Sequence, residues 1–251
     1  MMSLTRTNLA AVVKKQYVFK LKSCSNLLIS LIALQLIAIL FTMGGMVDSM
    51  SIGSSYMSVT IRFYSGDGVF TFSLIWALAT AFILTMPGYR NIDFTFVGNR
   101  LSSNLANFGF LLTASITGGI SATLGSLMIR NIVYFSGGSE NILGTNFFMG
   151  PGELLTAMAA AALYLLLLSA VGYFSGTLVQ WNRILVLLLP ALVVGTLIFE
   201  AGNYNRRIIW RAVDFFIQES SLALFALKVT ATVLLLWTGA ILLTNKTEAR
   251  A

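Results

Sequence analysis

Residues 24–46 read CSNLLISLIALQLIAILFTMGGM, with no charged side chain between Lys22 and Asp48. A helix needs roughly 20 apolar residues to cross the hydrocarbon core of a bilayer, and this stretch supplies them without interruption. Five more of similar length follow at 69–88, 106–129, 153–176, 183–202 and 221–243. Hydrophobic residues make up 57% of the chain and charged ones 10%, far from the roughly one-quarter charged composition of soluble domains. In lipid the backbone is satisfied only within helices or closed barrels, and no alternating barrel pattern is present. The expected fold is all-α and integral to the membrane, one polytopic domain over 1–251 with six transmembrane helices. Residues 1–23 hold scattered positive charges and no compact apolar core, so they do not read as a cleaved signal peptide.

The absences narrow the chemistry. There is no histidine, which removes Ser–His hydrolysis, HExxH metalloproteases and His-based metal or proton relays. The single cysteine, Cys24, forms no internal disulfide. No GxxxxGK[ST] loop occurs, and Asp67, in Tyr64–Ser65–Gly66–Asp67–Gly68, reads as a turn residue rather than half of an aspartyl pair. Catalytic residues, metal sites and bound cofactors are therefore not expected in this chain. A net charge of +7 fits cytoplasmic flanks better than nucleic acid.

Orientation follows from those flanks. Arg6, Lys14, Lys15, Lys20 and Lys22 precede the first span, and the first acid is Asp48. The positive-inside rule places the N-terminus in the cytoplasm. Six crossings then bring Arg90, Arg100, Arg183, Lys246 and Arg250 to the same side. Asp48, Asp67, Glu140, Glu153, Glu200, Asp214 and Glu219 fall outside or near the outer ends. Arg206, Arg207 and Arg211 run against the rule.

Ionisable groups are scarce inside the spans, where a coupled carrier would place them. Glu153 follows Gly150–Pro151–Gly152 and reads first as a helix-start cap, second as a substrate contact. Glu200 closes the fifth span. Lys228 lies about two turns into the sixth, either snorkelling outward or paired with Glu200 or Asp214.

Three segments outside the spans look amphipathic. Residues 4–23 place Leu9, Val13, Tyr17 and Leu21 at helical spacing among lysines, as a surface helix would. In 89–105, Phe94, Val97, Leu101 and Leu105 repeat on one face after the Pro87–Gly88 break. By pattern this is either a force-transmitting helix or a passive turn. In 203–220, Arg207, Arg211, Asp214 and Gln218 step along one stripe opposite Ile208, Ile209, Ala212, Val213 and Phe216. Small residues crowd the third span (Ser115, Gly118, Gly119, Ser121, Ala122, Gly125, Ser126) and the fourth (Ala157, Ala159, Ala160, Ala161, Ala162). They allow close helix packing in lipid.

This order of segments, with stretches such as Tyr17–Val18–Phe19–Lys20–Leu21–Lys22 and Arg100–Leu101–Ser102–Ser103–Asn104, resembles the ABC-2 type permeases, the transmembrane subunits of ABC transporters. The likeness is to small bacterial members beside peptide-export or antimicrobial-resistance ATPases. It implies a multi-pass protein of the bacterial cytoplasmic membrane with both termini cytoplasmic. It also implies a partner permease, identical or paralogous, contact with membrane lipid, and two cytoplasmic ABC ATPase subunits that carry the ATP and Mg. The segment 89–105 would be the coupling helix, with Arg90, Asp93, Phe94, Val97, Arg100 and Leu101 toward the ATPase. The outer segment before the last span would be re-entrant, and Glu153, Glu200, Arg207, Arg211 and Lys228 would stand along the route or its outer gate. The substrate implied is an amphipathic peptide, lipid or drug. A non-transporting immunity or accessory protein and a secondary carrier are the competing readings.

The topology is checked by single-cysteine labelling in a Cys24→Ser background. Cysteines at 97 and 247 are expected to resist impermeant reagents in intact cells and to react once the membrane is opened.

Overall fold

The computed structural model describes residues 9–44, 48–54, 57–63, 66–89, 100–135, 149–202, 208–219 and 221–247. The helices are α1 (Leu9–Ser23), α2 (Ser25–Met43), α3 (Asp67–Thr85), α4 (Arg100–Phe135), α5 (Pro151–Trp181), α6 (Leu185–Gly202), α7 (Ile208–Ile217) and α8 (Leu222–Thr247). Five of these, α2, α3, α4, α5 and α8, are long and apolar enough to cross a membrane. The chain is an α-helical, multi-pass membrane protein.

The helices are packed inside out relative to a soluble bundle. On α2 the buried positions Leu31, Gln35, Ala38, Ile39 and Thr42 recur on one face, while Ile29, Ile32, Leu36 and Leu40 are exposed as a lipid-facing side. Gln35 donates to Ser73 at 2.9 Å and the Trp76 indole donates to Ser30 at 2.9 Å, both across the α2–α3 seam. Polar groups buried in hydrocarbon need such partners, and the facing helix provides them.

The closest approaches are made by glycine. A Cβ on Gly172 of α5 would collide with the Leu78 carbonyl of α3, and one on Gly119 of α4 would lie 2.8 Å from the Ala162 Cα of α5. These small residues let backbones meet directly, so α5 sits against α3, α4 and α8 at the centre of the bundle. The core follows from this: Trp76, Leu84, Phe110, Leu165, Tyr173 and Trp237 belong to one buried cluster.

Contacts along α5 give the helix directions. Phe70 meets Tyr164, and Gly172 meets Leu78 further on, so α3 and α5 run parallel. Tyr164 meets Phe225 and Tyr173 meets Trp237, so α8 is parallel to them. Helices α2 and α4 run the other way, as Gln35–Ser73, Trp76–Ser30 and Gly119–Ala162 require. The starts of α4 and the ends of α3, α5 and α8 thus share one end of the bundle with α1. This is the basic end.

Several expected boundaries shift. The segment 89–105 is not one short helix: residues 100–105 are the first turns of α4, continuous with the third span. At 36 residues, α4 is about 54 Å long and outruns a core of roughly 30 Å. Residues 90–99 lie outside the described residues, and so do residues 4–8, where the expected N-terminal helix was to begin. The fifth expected span, 183–202, is α6, whose apolar part Leu185–Glu200 is shorter than the five clear spans. Nearly all of α6 is exposed, Leu187 to 80% and Ile198 to 69%.

The expected outer loop 47–68 holds a two-stranded antiparallel hairpin, β1 (Asp48–Ser54) and β2 (Met57–Phe63). Its register sets Met50 opposite Ile61 and Ile52 opposite Val59, with Ser49 opposite Arg62 and Ser51 opposite Thr60. Apolar pairs alternate with polar ones, the period-2 signature of a strand. We call the end of the bundle from which it projects, between α2 and α3, the hairpin end.

Packing at α5 predicts the cost of filling its contacts. Gly172→Ala is expected to destabilise the protein by about 1–3 kcal/mol through overpacking. Gly195→Ala, on α6 with nothing within 4 Å of the added methyl, should instead gain up to about 1 kcal/mol of helix propensity. Thermal unfolding of both variants in detergent checks this contrast.

Candidate functional site

The candidate outer residues are only partly brought together. Pro151 opens α5, and the Gly150 N–H donates to Glu153 Oε2 at 3.3 Å, which is the capping role. Glu153 itself remains exposed. Lys228 pairs with Glu219, a residue the sequence reading left without a role, and not with Glu200 or Asp214. Its ammonium also donates to the Phe215 carbonyl at 3.2 Å and lies 3.9 Å over the Phe215 ring. The cause is the turn after α7, which folds residues 215–219 back over the first turns of α8. Glu200 is buried at the end of α6, whereas Arg211 and Asp214 are exposed on α7. Arg207 lies outside the described residues.

Two cavities adjoin at this end. One of about 310 Å³ lies between α5, α7 and α8 and is lined by Glu153 and Glu219 among others. The second, about 230 Å³, lies between α3, α4 and α5 and includes Asp67. Ala157, Ala160 and Tyr164 line both. The Tyr164 hydroxyl donates to the Phe216 carbonyl at 3.3 Å, tying α7 to α5 just where the cavities meet.

At the basic end, α1 inverts the expected surface helix. Leu9 and Val18 are exposed, while Gln16 and Lys20, one turn apart, are buried, Lys20 to 4% exposure. Tyr17 lies over Gly109, whose missing side chain makes room for the ring. Lys20 donates to Asn107 Oδ1; the Asn107 amide donates to the Tyr173 hydroxyl at 3.1 Å; that hydroxyl donates to Asn104 Oδ1 at 2.7 Å. The Tyr173 ring stacks on Trp237, centroids 4.3 Å apart and 13° from coplanar. One chain of contacts therefore joins α1, α4, α5 and α8. Asn104 Nδ2 and Gln16 Oε1 are buried beside it without a hydrogen-bond partner among the described residues.

Of the candidate coupling residues, Arg100 opens α4 and Leu101 follows it, partly exposed. Arg90, Asp93, Phe94 and Val97 lie outside the described residues. The buried Lys20 was missed, because a lysine in a basic flank reads as solvated. Its signal was the Gln16–Lys20–Cys24 stripe at four-residue spacing, with Asn104 and Asn107 three apart on another helix. Comparison with protein families, curated proteins and solved structures finds no match to this chain.

Tyr173 is the joint of the polar chain. Tyr173→Phe keeps the stacking on Trp237 but leaves Asn104 Oδ1 and the Asn107 amide without their partner. It is expected to cost about 1–3 kcal/mol, read as a lowered unfolding temperature in detergent.

Proposed function

We propose that this chain is the transmembrane subunit of an ABC-2 type transporter, exporting an amphipathic peptide, lipid or drug across the bacterial cytoplasmic membrane. ATP and Mg act on a separate cytoplasmic ATPase, and a second permease completes the route. This chain supplies no catalytic residue.

The observation that carries the reading is the docking of α1 on the first turns of α4, through Lys20–Asn107 and Tyr17–Gly109. In sequence, the α3–α4 connection immediately precedes those turns. A force applied to that connection from the cytoplasm would enter α4, and the polar chain would pass it to α1, to α5 through Tyr173 and to α8 through Trp237. Rigid, contiguous contacts of this kind are what coupling needs.

The helix directions support six crossings. Helices α5 and α8 run parallel, so the intervening chain has to return from one end of the bundle to the other. Helix α6, with 18 residues, covers about 27 Å of that distance, close to the roughly 30 Å core. Both termini then lie on the basic side, the cytoplasm by the positive-inside rule. Helix α7 is 10 residues long, with Trp210, Val213, Phe215 and Ile217 exposed. It suits a position in the outer headgroup layer.

Purification from native membranes in mild detergent tests the assignment. An ATPase with a P-loop is expected to copurify, and the isolated chain is expected to hydrolyse no nucleotide. Phe94→Asp and Arg100→Glu should weaken that association while leaving membrane insertion unchanged, since an unpaired charge in a desolvated contact costs several kcal/mol. Recovery of the chain without any ATPase, with transport intact, would remove the ABC reading.

A further inference from the structure

We infer that the outward face of α1 is a binding site for an anionic phospholipid headgroup. The rotation of α1 is fixed by what it buries: Gln16 and Lys20 are buried, Lys20 donates to Asn107, and Tyr17 lies over Gly109. At about 100° per residue, Lys14, Lys15, Val18 and Lys22 all fall within about 60° of the direction opposite that buried edge. Burial agrees, because these four and Ala11, which shares their face, are exposed. Three lysines thus frame a small apolar centre. Helix α1 packs against α4 and α2, and neither of them carries a carboxylate. Lys14, Lys15 and Lys22 have no ion-pair or hydrogen-bond partner among the described residues.

Depth identifies the occupant as lipid. Gly66, just before α3, lies against Ser126 of α4. Asn107 precedes Ser126 by 19 residues on the same helix, about 28 Å, which is close to the roughly 30 Å thickness of the hydrocarbon core. Helix α4 then continues past Asn107 to Arg100, about 10 Å further. Helix α1 therefore lies beside α4 at the edge of the hydrocarbon, not over its end, and it runs directly into the first span at Cys24. Its outward face points away from the bundle, along the headgroup layer. There Val18 meets the acyl boundary while the lysine stems carry their ammonium groups to the level of the phosphates. A soluble partner would have to displace lipid to reach this face. Each lysine beside an anionic headgroup adds about fivefold to the affinity. A lipid bound there holds α1 from outside, as the Lys20 relay holds it from inside. The site goes beyond the transport reading and does not depend on it.

The tagged full chain in dodecylmaltoside micelles, without ATPase, provides the test. Retention of radiolabelled dioleoyl phosphatidylglycerol on the immobilised protein should saturate. Its affinity should exceed that of dioleoyl phosphatidylcholine at least about tenfold, and the preference should shrink in high salt. Lys14→Gln, Lys15→Gln and Lys22→Gln combined should remove the preference while leaving the unfolding temperature in lipid-free detergent unchanged, since all three positions are exposed. Lys22→Gln alone, expected to lose about fivefold, guards against misfolding of the triple variant. Arg183→Gln changes an exposed cation of the basic end outside α1 and should leave the affinity within about twofold. Glycerol phosphate, a headgroup without its chains, should compete at least about a hundredfold more weakly than the lipid. Equal affinity for phosphatidylcholine, a preference that survives the triple substitution, or an equal loss from Arg183→Gln would overturn the site. Competition by glycerol phosphate as strong as that of the lipid would also overturn it, in favour of a site for free phosphate.

Discussion

The contact on which this bundle depends is backbone against backbone, Gly172 of α5 on the Leu78 carbonyl of α3, with Gly119 of α4 on Ala162 of α5. Helices in lipid gain nothing from hiding hydrocarbon from hydrocarbon, so association rests on close packing and on polar groups that find each other. At Ala162, Gly172 and Gly176, where α5 lacks bulk, another helix has moved in. That makes α5 the axis: α3 and α8 lie parallel to it and α4 antiparallel, and the buried aromatic cluster of Trp76, Tyr173 and Trp237 follows from their directions. Helix α6, without such contacts, stands almost bare.

A second constraint is the burial of Lys20. An ammonium held at 4% exposure needs polar neighbours, because solvating it in hydrocarbon costs more than any single packing contact returns. The bundle meets that need with an ordered relay from Lys20 through Asn107 and Tyr173 to Asn104. The direction of every donor in it is set: the ammonium cannot accept, so Asn107 must present its oxygen to Lys20 and its amide to Tyr173. A surface helix has thereby become part of the core. Its position is defined by hydrogen-bond direction as well as by shape.

Much of the fold was legible because lipid imposes a simple rule. Long uncharged runs mark spans, and five of the six expected from such runs have the length and hydropathy to cross. Their ends were less legible, since nothing in hydropathy stops a helix at the membrane surface: α4 runs on through polar Arg100–Asn104, and residues 100–105 join the span instead of a separate coupling helix. The hairpin was hidden by serines, which read as loop although Met50–Ile61 and Ile52–Val59 alternate at strand period. At the candidate site, Glu153 was legible as a cap because capping is local. The Lys228–Glu219 pair was not, because it depends on how the turn after α7 folds back. Lys20 was hidden by its own neighbours, Lys14, Lys15 and Lys22, whose solvated charges set the apparent character of the segment.

The two ends of the bundle differ in how they are held. At the basic end, ring stacking and directional hydrogen bonds connect four helices. At the hairpin end two cavities lie among α3, α4, α5, α7 and α8, and α7 is tied to α5 by the Tyr164–Phe216 hydrogen bond and to α8 by Lys228 against Phe215. Packed interfaces move as units, whereas loosely held elements open at small cost. On the transport reading this asymmetry has a direction. Work done on α1 and α4 at the basic end reaches α5 with little loss, and the rigid axis then carries the displacement to the end where the structure yields most easily. Tyr164, on that axis and between the cavities, is where a shift of α5 would change the space between it and α3, α7 and α8.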